Sequence, residues 1–440
     1  MRRTSPSSPA AVTRFLAALG LFLAGVTGLP STRAVQAAPS ARVNPVTLQV
    51  LIGYGDEKQV SSTLKAQFQR FEATHPGVHV ELIYSGGGYI DQKLQTTTAA
   101  GMPPDLIFMW SFQFASFARS DFFLPLETYV DNQYLSRFFP DFVTYGRLGG
   151  HLYGLPITGG PASIMYHPDQ FDSAGVTPPS ANDSWDDFVR KAKALTRDKN
   201  GDGNPDQWGF VWYEVVIRDW MTWIWRNGGD IFSPDLRQFT LDEAPAAEAI
   251  QFLADLSNKY KVCPPEPVLW GTPWDLFNKG QASMYAEGAW SIDGLRKHLV
   301  PQDTAPLPKR KNEATALEAY YLAVHRASQH VPEAVELAKF LAGDSQSQIA
   351  INEWGFGIPA VAQVAKDVLQ AERNKWNIAT FLDPLVKGVT RMMPYPPNWG
   401  PVQDTIRAAF RKAFSGQASA RQVAQEVKGK IEALITQTKS

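Results

Sequence analysis

One cysteine, Cys263, stands in 440 residues, so no intrachain disulfide can form. Neither sign of charge is in excess, with 42 Lys and Arg against 43 Asp and Glu. That leaves no basic surplus to hold a nucleic-acid backbone, and no nucleic-acid partner is expected. Beyond the first thirty residues no stretch offers about 18 consecutive apolar residues, the length a membrane-spanning helix needs. Catalytic signatures are missing as well. There is no G-x-S-x-G elbow, no H-E-x-x-H and no P-loop, and the seven His do not pair at metal-ligand spacing. The glycine loop SGGG at 85–88 lacks the P-loop lysine and the Rossmann spacing. Carboxylate pairs for glycoside hydrolysis could be drawn from Asp56, Glu57, Glu214 and Glu287, but 43 acids make chance pairing easy. The chain is not expected to be an enzyme.

What is abundant is aromatic. Phe, Trp and Tyr make up 12% of the chain, with 13 Trp, inside an otherwise ordinary globular composition of 44% hydrophobic and 19% charged residues. The length suits two or three domains. The N-terminus reads as a secretory signal: Met1-Arg2-Arg3 and Arg14 flank the apolar run FLAALGLFLAGVTGL, and a small-residue site follows at Val35-Gln36-Ala37. Removing residues 1–37 takes four Arg and no acid, which leaves 38 basic and 43 acidic residues and a formal charge of −5. No cysteine near the cleavage site can carry a lipid. The expected location is the periplasm, as a soluble monomer.

The mature chain opens with VTLQVLIGYG, an alternating-to-apolar strand ending in glycines. STLKAQFQRFEATHPG puts Leu64, Phe68 and Phe71 at helical spacing and stops at Pro-Gly. Strand HVELIYS, helix YIDQKLQTTTAAG and strand DLIFMW follow. Strand and helix in alternation predict a parallel sheet with helices on its faces, whose strand-exit loops line a ligand edge. Further on, SWDDFVRKAKALT starts on Ser184 with Asp187 three residues later, close to a capping box. QWGFVWY reads as a strand and MTWIWRNGG as a helix whose Trp223 and Trp225 are core. EAYYLAVHRAS returns to strand, HVPEAVELAKFLAG is a helix, and the remainder is mostly helical around MMPYPPNWGP.

Several of these segments together resemble family 1 extracellular solute-binding proteins, the sugar-binding receptors of ABC importers, a group that includes maltose-binding and glycerol-3-phosphate-binding proteins. The matching segments are FQRFEATHPGVHVEL, LQTTTAAGMPPDLIFMW, LYGLPITGGPASIMYHPDQF with its continuation to KALT, QASMYAEGAWSI and EAVELAKFLAGDSQSQ. They span about residues 46–359. The crossing segment departs from the pattern by ending in Tyr166-His167 instead of Tyr-Asn. The resemblance implies an α/β, two-lobed periplasmic-binding-protein fold of type II, each lobe a mostly parallel sheet flanked by helices. It puts 45–155 with 306–350 in lobe I and 156–305 with 351–440 in lobe II. It also implies a ligand in the cleft and ABC permease subunits as partners.

A sugar offers C–H faces for aromatic rings and hydroxyls for polar side chains, so its site wants Trp or Tyr beside carboxylates and amides. Candidates are Tyr54 and Asp56 after the first strand, Gly87 and Tyr89 in the second exit loop, and Trp110 with Gln113 after the third. Tyr213, Glu214, Glu287, Gly288 and Trp290 come from the middle of the chain. Trp354, Tyr395 and Trp399 could close the cleft from the second lobe. A neutral mono- or oligosaccharide leads. A phosphorylated polyol such as glycerol-3-phosphate would want cations, of which only Lys58 is near; a polyamine would exploit the acids.

No cofactor is required. One stretch, DKNGDGNPDQWGF at 198–210, resembles a calcium loop, with Asp198, Asn200, Asp202 and Asp206 as ligands. Position 12 is Gly209 instead of glutamate, and a strand follows instead of a helix. A structural calcium and a glycine-rich Asx turn both fit these residues.

Overall fold

The computed structural model describes residues 45–54, 57–86, 89–266, 268–271, 273–297 and 302–437. The expected signal segment lies outside the described residues, as do Asp56 and Gly87. No helix among the described residues is long and apolar enough to cross a membrane.

Strands β1 (Val46–Ile52), β2 (Val78–Tyr84) and β3 (Leu106–Trp110) form the expected parallel unit, with β1 between its two partners. Helices Glu57–Thr74 and Ile90–Ala99 make the connections. The first buries Val60, Leu64, Phe68 and Phe71 along one stripe, the spacing that makes a helix amphipathic, and it ends before Pro76-Gly77. After a two-stranded hairpin, β4 (Arg147–Leu148) with β5 (His151–Leu152), the chain enters the long strand β6 (Leu155–Tyr166). The remaining strands are β7 (Met284–Gly288), β8 (Asp303–Ala305), β9 (Thr315–Val324), β10 (Ile358–Pro359) and β11 (Thr390–Arg391).

The main path of the sheet runs β10-β6-β9-β3-β1-β2. β9 lies antiparallel to β3, and the register sets Trp110 opposite Tyr320. β6 changes partners along its length. Leu155–Pro161 pairs with β9, whereas Ala162–Tyr166 pairs with β7, and its last three residues also with β8. The change falls at Gly159-Gly160-Pro161. A Cβ on Gly159 would sit 2.2 Å from the Glu318 carbonyl oxygen and one on Gly160 would sit 2.3 Å from Ala289 Cβ, so only glycine admits this approach.

Two apolar cores flank that change-over. One is built from the β1–β3 unit, Ala289 and Ile292, the body of β9 from Leu317 and the stretch from Ala334 to Leu385. The other gathers Ile164 to Ala286, then Ala305, Leu307 and Ala316, and finally Met393 to Ile435. The buried residues of 351–385 therefore pack in the first core, although the sequence resemblance groups 351–440 with the second lobe. In the second core Trp223 is 0% and Trp225 1% exposed, as expected of a packing pair. Helix Trp185–Leu195 begins with the capping box between Ser184 and Asp187, a feature contributing about 1 kcal/mol. QWGFVWY does not form a regular strand. It makes separate bridges at Gln207, Trp208 and Val211 instead.

Candidate functional site

Where the two cores meet, a cavity of about 240 Å³ opens between Trp110 and Phe112 on one side and Val216–Arg218, Tyr395, Trp399, Gln403 and Arg407 on the other, with Glu318 in its wall. Its first aromatic wall follows from the register of β3 and β9. The Trp110 and Tyr320 rings stack 6.0 Å apart, and Tyr54 meets both edge-on. The Tyr54 hydroxyl donates to Gln113 Oε1, and Asp91, in the first turn of helix Ile90–Ala99, lies close to the same side chain. Burial pushes the Asp91 carboxyl up to about 6. The opposite wall comes from the Pro-rich loop, where Tyr395 and Trp399 meet edge-on at 5.6 Å and Tyr395 leans on Phe112 at 6.1 Å.

Glu318 ties the walls together. It is 2% exposed, the only charged residue of β9, and accepts hydrogen bonds from Trp110 Nε1 and from Ser111 Oγ at 3.1 Å. Arg218 Nε stands 3.9 Å from it and Arg218 Nη2 pairs with Asp219 at 2.8 Å. Burial opposes the guanidinium charge, but Asp219, Glu318 and Glu287 together outweigh it and hold the group firmly protonated. Burial raises the Glu318 pKa, and Arg218 is the largest influence opposing it.

The same guanidinium lies 4.2 Å above the ring of Trp290. Trp290 occupies the turn Ala289–Ser291, directly after β7, and folds back over Gly288. A Cβ on Gly288 would come within 2.4 Å of the indole, so the glycine is what lets the ring lie there. Beside Arg218 sits a small cavity of about 10 Å³, lined by Ser163, Asp219, Thr222, Glu287 and Trp290 among others. Ser163 and Glu287 are register partners across β6 and β7. Glu287 accepts from the Tyr285 hydroxyl, and burial drives its carboxyl up to about 7 against the pull of Arg218.

The structure thus brings Trp110, Tyr395 and Trp399 to the wall of the larger cavity and Glu287 and Trp290 to that of the smaller one, while Tyr54 and Gln113 pack behind Trp110 and Gly288 lies beneath the Trp290 ring. Tyr89 is beside the sheet edge but 65% exposed. Tyr213 is half-buried, edge-on to Tyr285 at 6.1 Å. Glu214 is buried close to Cys263, with its backbone N–H bonded to the Leu269 carbonyl. Trp354 does not reach the cleft from the second core. Its ring packs on Phe108 and Phe356 in the first, because Gly357 lies against the backbone of Gly159 and folds 353–359 over that sheet.

Sequence reasoning missed Arg218, Asp219, Glu318, Asp91 and Tyr320. For Glu318 a signal existed, a lone acid in the otherwise apolar TALEAYYLAV. Another cavity of about 270 Å³, between helix Ala379–Lys387 and residues 179–181, carries no aromatic ring.

The 198–206 loop lies elsewhere and closes on itself. Asp198 accepts from the amides of Gly201 and Gly203 at 2.7 and 2.8 Å, and Asp206 from those of Lys199 and Asn200 at 2.7 and 3.1 Å. No group of three His, Cys, Asp or Glu poised for a metal occurs among the described residues.

The model of the bacterial extracellular solute-binding proteins matches residues 54–348, well over half of the chain. The chain belongs to this family. The solute-binding protein is 24% identical over 381 residues to a putative binding protein of Brucella abortus, covering 83% of this chain and 88% of that one. A maltotriose-binding protein of Pyrococcus abyssi is 23% identical, over 52% of this chain and 47% of its own. Among solved structures, an ABC substrate-binding protein of Listeria monocytogenes in complex with cycloalternan superposes with a TM-score of 0.77 at 23% identity, covering 89% of this chain and 99% of that one. That likeness shows the fold, so this solute-binding protein is two-lobed, and β6 and β9 each have residues in both cores.

Proposed function

We propose that the protein is a soluble receptor that captures a mono- or oligosaccharide between its lobes and delivers it to an ABC permease without chemical change. One observation carries this reading. Two aromatic walls, Trp110 backed by Tyr320 and Tyr395 with Trp399, stand on either side of one cavity whose lining also holds Glu318 and Gln403. Rings take the C–H faces of a pyranose and the polar groups take its hydroxyls. Contacts from both lobes favour the closed state, which is how binding couples to hinge closure. The division of lobes we favour follows the two cores, with 351–385 in the first.

A phosphorylated polyol is disfavoured by the charges. Arg218 is engaged by Asp219 and Glu318, and Arg407 at the mouth stands 3.8 Å from Asp404. The relatives named above that bind maltotriose and cycloalternan support a saccharide, and the expected signal segment supports the periplasm.

Thermal-shift screening of the chain from residue 38 against saccharides and glycerophosphates tests the reading. A ligand at about 100 times its Kd adds roughly 2.7 kcal/mol to stability, a shift of several degrees. Absence of any shift with carbohydrate, or a shift with glycerophosphates alone, would sink it.

A further inference from the structure

The small cavity beside Arg218 holds more unsatisfied polarity than a neutral sugar edge calls for. Four of its lining atoms have no hydrogen-bond partner: Ser163 Oγ, Asp219 Oδ2, Glu287 Oε1 and Trp290 Nε1. Ser163 is 0% and Glu287 7% exposed, and the Asp219 side chain is 6% exposed, so water outside the cavity cannot serve them. Three of the four are acceptors, two of them on carboxylates.

The charges point the same way. Asp219, Glu287 and Glu318 surround a single buried cation, Arg218, which leaves an acid surplus in a low-dielectric site. Arg407 lines the neighbouring cavity and not this one. Burial raises the Glu287 carboxyl to about 7, with Arg218 pulling against the rise and Asp219 adding to it. A cavity of about 10 Å³ accepts a group of the size of one water. A protonated primary amine has that size, three N–H donors for three acceptors, and a positive charge for the two carboxylates among them.

We infer that this cavity is an ammonium pocket, and that the preferred ligand is an aminated saccharide whose –NH3+ group donates to Ser163 Oγ, Asp219 Oδ2 and Glu287 Oε1. The inference rests on the carbohydrate reading above and names the class of sugar. The Trp290 indole N–H then serves a hydroxyl of the same or the adjoining ring. Arg218, which lines both the cavity and the cleft, marks the side from which the amine arrives.

Titration calorimetry with three disaccharides decides it: the β-1,4-linked glucosamine dimer, its N,N′-diacetyl form and maltose. The amine is expected to bind at least about tenfold more tightly than either neutral sugar, a preference that weakens in high salt. Glu287→Gln keeps the shape of the side chain and should bring the ratio close to one. Ser163→Ala, which removes one acceptor and no charge, should reduce the ratio in part. Equal or tighter binding of a neutral disaccharide overturns the ammonium pocket and leaves the carbohydrate receptor standing. Binding of none of the three, when other saccharides shift the melting temperature, also overturns the pocket. If no saccharide of any kind binds, both readings fall. Should either variant fail to fold, the ratio measured on the unaltered protein still decides.

Discussion

Replacing Glu318 by alanine tests whether the cleft is organised by one buried charge. In the native protein this carboxylate accepts from Trp110 Nε1 and Ser111 Oγ and stands 3.9 Å from Arg218. Breaking a buried ion pair by removing one partner costs about 3–5 kcal/mol. Arg218 keeps Asp219 at 2.8 Å, which sets the loss at the low end, about 3 kcal/mol. The orphaned Trp110 and Ser111 donors add about 1 kcal/mol. Unfolding roughly 400 residues carries an entropy of about 0.8 kcal/mol/K, so the melting temperature should fall by about 4–5 °C if both lobes melt together. If the lobes melt separately, the fall should be about twice that in one transition. Calorimetry resolves the two cases. Glu318→Gln keeps an acceptor for both donors and should recover more than half of the loss. A melting temperature for Glu318→Ala within about 1 °C of the parent would refute the assignment of Glu318 as the tie between the walls.

Other expectations are quickly checked. Trp290→Ala should weaken carbohydrate affinity by about 30-fold, the loss of a buried aromatic anchor, while Trp290→Phe stays within a few-fold; equal affinity in the alanine variant would remove Trp290 from the site. Glu287 and Asp91 hold their protons longer folded than unfolded, so the stability they contribute is complete below their ordinary values of 4.5 and 3.8. That contribution is lost as pH rises through about 7 and about 6. Melting temperature should therefore decline between those limits, and Glu287→Gln should flatten the upper part; an unchanged slope in the variant would count against the buried carboxyl. We propose that calcium, where bound by Asp198, Asn200, Asp202 and Asp206, stiffens a turn outside the cleft. EDTA should then leave carbohydrate affinity unchanged, and a loss of affinity on chelation would show that loop and cleft are coupled.

Local patterns carried the local structure. The Pro-Gly stop, the apolar stripe of Leu64, Phe68 and Phe71, and the pairing of Ser184 with Asp187 all depend on neighbours within one or two helical turns. The parallel pairing of β1, β2 and β3 followed from strand and helix alternation. What escaped was long-range. Glu318 and Arg218 are separated by a hundred positions and meet only because β9 and the helix Ile217–Arg226 cross at the junction of the cores. Trp354 and Trp399 look alike in sequence, each in a glycine- or proline-rich turn. One is in the first core and the other lines the cleft, a distinction made by the backbone contact between Gly357 and Gly159. QWGFVWY has strand composition, but only isolated residues of it find partners. Of the residues expected at strand ends, Trp110 lines the larger cavity, a position that the sheet edge implied by alternation suggests.

The weaving of the two cores has a consequence for how the chain comes into being. The first core is not complete until Leu385 is available, and the second waits for Ile435. Its parallel strands β1, β2 and β3 can assemble early, but their neighbour β9 is some two hundred residues behind them. A polypeptide emerging from its N-terminus therefore has no finished lobe to lock into until most of it has been made, and closure of such distant contacts is slow. An interleaved receptor of this kind stays threadable during synthesis, and neither lobe can be cut out as a continuous piece.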